Sequence, residues 1–111
     1  MKLSELNKAM NPLAEVTDGR EKMEIKELYG QVATLEKFMF ATDDNDKKYA
    51  VVCLKEYPKY FHFSGLLETK YLELIENDEE LRTELKKGNI KFKYEQGTTK
   101  KGQRFTIVSV V

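Results

Sequence analysis

The residues most able to do chemistry in this chain are few, and each is short of a complete catalytic set. Cys53 and His62 are its lone cysteine and histidine, nine positions apart. Read on adjacent strands, they are the nearest approach to a nucleophile and base, but no third group is suggested to orient the histidine. A packing pair is the favoured reading, and one cysteine with one histidine supports neither a disulfide nor a zinc cluster. Gly97-x4-Gly102 imitates a phosphate loop, yet Gln103 stands where the lysine is needed and a strand follows in place of a helix. The acids in Thr42-Asp43-Asp44-Asn45-Asp46 are spaced like a calcium loop but lack its glycine and distal glutamate, so a solvated hairpin tip is expected. No catalytic residue, metal ligand or cofactor is assigned, and no enzymatic activity is expected.

A second chemistry needs only cations that track phosphates and flat side chains on which unpaired bases stack. The formal charge is zero, 19 basic against 19 acidic groups, which by itself argues against a polyanionic ligand. The total hides a segregation. Residues 47–60 and 89–104 together carry a net +7, whereas residues 1–46 and 66–87 are acidic. Within the basic segments the candidate binding residues are Tyr49, Lys55, Tyr57, Lys59, Tyr60, His62, Lys91, Lys93, Lys100, Lys101 and Arg104. Singly, an exposed tyrosine or an outer-strand lysine is ordinary surface. Collectively they gain weight, because the acids lie on other segments.

These residues need elements to hold them. At 111 residues, 41% hydrophobic and 34% charged, the chain suits one domain with a modest core. Residues 1–22 read as an N-terminal arm or short helix with Leu3, Leu6 and Met10 on one side, closed by Asn11-Pro12. Residues 23–111 read as the folded domain. Met23 to Phe40 is taken as one long first strand, with a bulge or coil where alternation slips between Val32 and Leu35. The second strand, KKYAVVCLKE, turns Ala50, Val52 and Leu54 inward and Tyr49, Val51, Cys53 and Lys55 outward. The third, KYFHFSG, is assigned with Phe61 and Phe63 inward and Tyr60, His62 and Ser64 outward.

Residues 66–87 switch to helical period, with Leu67, Tyr71, Leu74, Ile75, Leu81 and Leu85 as the buried stripe and a break near Asn77, capped with Glu80. A final hairpin joins NIKFKYEQ to GQRFTIVSVV across GTTKKG. Phe61, Phe63, Phe92 and Phe105 are placed in the core; Phe38 and Phe40 fit either the core or the base of a binding groove. Three strands, a helical segment and two strands make a mainly β fold with the element order of a five-stranded OB-type barrel. In such barrels a groove crosses strands two and three between the loops joining strands one to two and four to five, which is where the basic and aromatic residues fall.

The segments LYGQVATLEKFMF, KKYAVVCLKE, YFHFSG leading into a helix, and GQRFTIVSV resemble the small single-stranded DNA-binding proteins of bacteriophages and prophages of Gram-positive bacteria. The likeness spans roughly residues 25 to 111. It implies an OB fold, action in the cytoplasm on DNA replication or recombination intermediates, and self-association as a homodimer or higher homo-oligomer. The chain departs from bacterial single-strand binders in having no acidic C-terminal tail and no tryptophan. The expected activity is sequence-tolerant binding of single-stranded DNA. The competing reading is an OB-type protein–protein interaction module that uses the outer aromatic face or the N-terminal arm. The lone thiol favours a reducing, cytoplasmic compartment. No apolar run approaches a membrane span, and the N-terminus alternates apolar with polar residues, so neither a membrane nor export is expected.

Overall fold

The longest strand of the fold starts later than its hydrophobic pattern suggests. In the computed structural model, which describes residue 17 and residues 19–111, the apolar run from Met23 is broken by a 3-10 turn, Ile25–Leu28. Glu27 turns back to accept the Glu24 amide at 3.0 Å. Gly30 then takes φ 83°, a conformation costly for any residue with a Cβ. Its amide donates to the Tyr94 carbonyl at 2.7 Å. Leu28, carried by the turn, is fully buried.

The strands are β1 (Glu21–Lys22), β2 (Val32–Thr42), β3 (Lys48–Leu54), β4 (Tyr60–Phe63), β5 (Lys91–Thr98) and β6 (Arg104–Val110), with helices α1 (Leu66–Glu76) and α2 (Glu79–Lys86) between β4 and β5. They form one sheet in the order β1-β4-β3-β2-β5-β6. β1 adds parallel to β4, so the sheet takes in Glu21 and Lys22, which the sequence reading gave to the arm. The rest of that expected arm lies almost entirely outside the described residues.

β2 serves two neighbours. Val32–Thr34 pair with β5, while Leu35–Thr42 pair with β3, and the register slips between Leu35 and Lys37. The slip frees Glu36, whose carboxylate takes Arg20 at 2.7 Å. The expected bulge is therefore present, just beyond Leu35, and it lets one strand turn from one half of the sheet to the other. Among the described residues the edge strands β1 and β6 share no ladder, so the sheet is open between them. A hydrogen bond of 2.9 Å between the Tyr29 and Thr106 hydroxyls bridges β6 to the segment after β1.

The core holds Ala50, Val52 and Leu54 as expected, with Leu35, Phe92, Tyr94 and Val108. Four assignments need correction. Phe105, expected in the core, is 43% exposed, because β6 is an edge strand and its ring lies over Gly97 of β5. Val51 and Cys53, placed on an outer face, are buried, because β3 lies mid-sheet with Met39 and Lys37 beside them on β2 and Phe63 beside Val51 on β4. β4 is turned over: His62 points into the core and Phe61 and Phe63 point out. On α1, Glu68, Thr69, Leu72 and Ile75 form the buried side, and Leu74 is 62% exposed. The shift follows from Glu68, which the apolar-only stripe ignored and which the core uses as an acceptor. The break between helices is capped by Asp78, whose carboxylate accepts the Leu81 amide at 3.1 Å, one residue after the expected Asn77.

Gly97 is required for a different reason. It faces Phe105 across the β5–β6 ladder, and a Cβ there would stand 2.6 Å from Phe105 Cζ and 2.8 Å from Ile107 Cδ1. The Phe105 ring thus covers a glycine in mid-strand. Gly97→Ala is expected to lower stability by about 1–2 kcal/mol through overpacking, measured by urea denaturation. A neutral or stabilising result would mean that the ring does not lie there.

Candidate nucleic-acid interface

The turned-over β4 creates the surface of interest. On a strand, alternate side chains share a face, so Tyr49 and the buried Val51 and Cys53 of β3 lie on the same side of the sheet as Phe61 and Phe63 of β4, with Val51 opposite Phe63. The rings of Tyr49 and Phe63 meet edge-on, 5.2 Å between centroids at 71°, and Phe61 lies 5.9 Å from Phe63 at 52°. Phe63 is 39% exposed. Lys22 of β1 holds its ammonium 4.7 Å from the centre of the Phe63 ring, a cation–π distance. At the hairpin end the same face opens into a shallow pocket lined by Asp43, Lys47, Tyr49, Phe63 and Ser64. Asp43 is occupied in shaping the tip, since its carboxylate accepts the Asn45 and Lys47 amides, each at 2.9 Å.

A buried network holds β4 in this phase. His62 is 1% exposed and Glu68 fully buried. His62 Nε2 lies 3.0 and 3.1 Å from the two Glu68 carboxylate oxygens, and the Tyr94 hydroxyl donates to Glu68 Oε2 at 2.5 Å. Burial pushes the Tyr94 phenol far above its ordinary range, and the Glu68 charge and hydrogen bond push it further, so it stays a donor. β4, α1 and β5 are tied together by three polar groups that have no water to fall back on. With His62 committed inward, Phe61 and Phe63 can only face outward.

The candidate residues named from sequence are not gathered at this face. Tyr49 is on it. His62 is in the core, a correction that its partner Glu68 explains. Tyr57 and Tyr60 line another pocket with Met23 and Glu27. Lys59 lies beside Tyr60 in a cleft with Arg20, Glu21 and Pro58. Lys55 reaches the end of α2, its Nζ against Gly88. Lys91 and Lys93 are exposed on β5, where Lys93 pairs with Glu95 at 3.1 Å. Lys91 faces the charge of Glu56. Burial would raise that carboxyl, but hydrogen bonds from the Thr34 amide and hydroxyl, with the Lys91 charge, outweigh it and hold it below the usual range. Lys100 and Lys101 stand at the tip of the β5–β6 hairpin, and Arg104 begins β6. The +7 is real as a count but is spread over several surfaces.

The sequence reading missed Phe61, Phe63, Lys22 and Lys47. Period alone sends Phe61 and Phe63 to the core, because the apolar set of a strand normally faces inward. Phe38 and Phe40, left between two roles, pack against the core with ring centroids 5.5 Å apart. Lys48 sits 4.2 Å over Phe40 and 3.5 Å from Glu73. Cys53 and His62 point to opposite faces of the sheet, so they form no nucleophile–base pair. No helix among the described residues is long and apolar enough to cross a membrane. No protein-family model matches the chain, and neither does any curated protein or solved structure.

Proposed function

We propose that this chain is an OB-type domain that binds single-stranded DNA without strong sequence preference across the outer face of β3 and β4. The observation that carries the reading is the aromatic row of Tyr49, Phe63 and Phe61 with the Lys22 ammonium over its central ring, Phe63. Such a row offers ring faces and edges to successive bases and a cation to a phosphate between them. The element order supports an OB relationship: a long bent strand shared by two neighbours, two further strands, helices, and a closing hairpin. β1 occupies the edge of β4 where a closing strand of such a barrel would pair. The role is that of the phage and prophage single-strand binders the sequence resembles, in replication or recombination in the cytoplasm, as a binding module without catalysis.

The structure changes the expected electrostatics. With Lys22 and Lys47 as the cations at the face, about two phosphates are neutralised. For a single strand this gives a slope of log K against log salt of about −1.4. Raising salt from about 50 to about 200 mM should therefore weaken oligo-dT binding about sevenfold, read by fluorescence anisotropy. A folded protein with no binding at the lower salt would end this reading and leave the protein-interaction alternative, which uses the same aromatic face. A slope near −5 would return the site to the dispersed lysines.

A further inference from the structure

A second surface, away from the aromatic face, is built differently. The first turn of α1 and the start of β6 enclose a pocket of about 390 Å³ lined by Leu66, Leu67, Lys70, Thr99, Phe105 and Thr106. Leu66 is 66% and Phe105 43% exposed, two large apolar residues that line one pocket. A scattered exposed leucine needs no explanation, but adjacent ones around a concavity mark a contact site. The Phe105 ring reaches over Gly97, whose missing Cβ leaves it room.

Lys70 is in the wall, Lys100 and Lys101 follow Thr99 in the exposed hairpin tip, and among the described residues no acidic side chain lines the pocket. The lining is mainly hydrocarbon, from Leu66, Leu67 and the Phe105 ring. A nucleobase placed there finds a single ring to stack on and few polar partners for its edges. An aliphatic or aromatic side chain would lose nothing. A negatively charged segment carrying such a side chain satisfies both the floor and the rim.

We infer that this pocket docks a short acidic peptide segment of another protein, anchored by one large apolar side chain between Leu66 and Phe105 and steered by Lys70 and the hairpin cations. The inference does not depend on the nucleic-acid reading, since the two surfaces share no residue. It gives the chain two ligands, one on the β3–β4 face and one at the α1–β6 pocket.

The test uses the full chain and a fluorescein-labelled peptide, Asp-Asp-Glu-Phe-Leu-Asp-Glu, in anisotropy titrations. Two control peptides carry serine in place of the apolar pair or lysine in place of every acid. The acidic apolar peptide is expected to bind at least about tenfold more tightly than either control. Leu66→Asp and Lys70→Glu, both at exposed positions, should each weaken it about tenfold while thermal unfolding and oligo-dT affinity stay unchanged. Equal or absent binding of the three peptides overturns the inference, as does a Leu66→Asp variant that binds like the parent. Competition by oligo-dT, with loss of DNA binding in Leu66→Asp, would make the pocket part of a nucleic-acid groove instead. Concentration-dependent dimerisation abolished by Leu66→Asp would assign it to a second copy of the chain.

Discussion

Glu68→Ala should be the most damaging single substitution in the fold, with an expected loss of about 3–5 kcal/mol. The carboxylate is fully buried and serves two donors at once, His62 and Tyr94. Removing it strands both polar groups in the core and leaves a cavity where the side chain was. Tyr94→Phe, which removes one donor and keeps the ring packing, should cost less, about 1–3 kcal/mol. Urea denaturation of the pair of variants gives both numbers. A loss below about 1 kcal/mol for Glu68→Ala would show that the network does not hold the core together. Its importance reaches beyond stability, because the same network fixes which side of β4 faces out. A Glu68 variant that folds but lets β4 slip should lose DNA binding without any change at the binding surface.

Replacing Tyr49 and Phe63 together by alanine should weaken oligo-dT binding at least about 30-fold, since each base–aromatic stack contributes about 1–3 kcal/mol. Both positions are only partly buried, so the fold should tolerate the change better than it tolerates loss of Glu68. The matched control is Lys91→Gln with Lys93→Gln. Those lysines sit on another surface, one of them already paired with Glu95, and their loss should change affinity by less than about twofold. The opposite pattern, with the tyrosine and phenylalanine dispensable and the lysines essential, would move the site to β5. Equal losses in both variants would mean a ligand that wraps around the sheet.

Much of the architecture was legible because hydrophobic period is a strong local signal. β3 through β6 and the helical segment fall where alternation and helical spacing place them, and Ala50, Val52 and Leu54 face inward as their pattern requires. What failed did so for reasons a single strand cannot reveal. In YFHFS the apolar set lies on one side and a histidine on the other, and period alone sends the phenylalanines inward. The decision was made by Glu68, six residues downstream on the inner face of α1, and by Tyr94 on β5. A buried acid that accepts from a histidine and a tyrosine outweighs the apolar preference of a short edge-side strand. The clue was present: Glu68 shares a helix face with Leu72 and Ile75, which makes a lone buried carboxylate that needs partners.

The candidate site was harder to read than the fold. Charge counting located basic segments correctly but could not say that Lys55 turns to the end of α2, that Lys93 is paired, or that Lys22 crosses from β1 to the Phe63 ring. The break before β2 was similarly hidden. Residues 23–31 have strand-like composition, and only the back-turned Glu27 and the positive φ of Gly30 convert them into a turn.

A ligand on the β3–β4 face leaves its footprint on the backbone amides of that face. The most direct test is amide chemical-shift mapping by NMR of the isotopically labelled chain titrated with oligo-dT at low salt. The largest shifts should cluster at Lys22, Lys47, Tyr49, Val51, Phe61 and Phe63, with the pocket at Leu66 and Phe105 unmoved. Shifts confined to Lys91, Lys93 and Arg104, or none in a protein whose spectrum shows it folded, would contradict it.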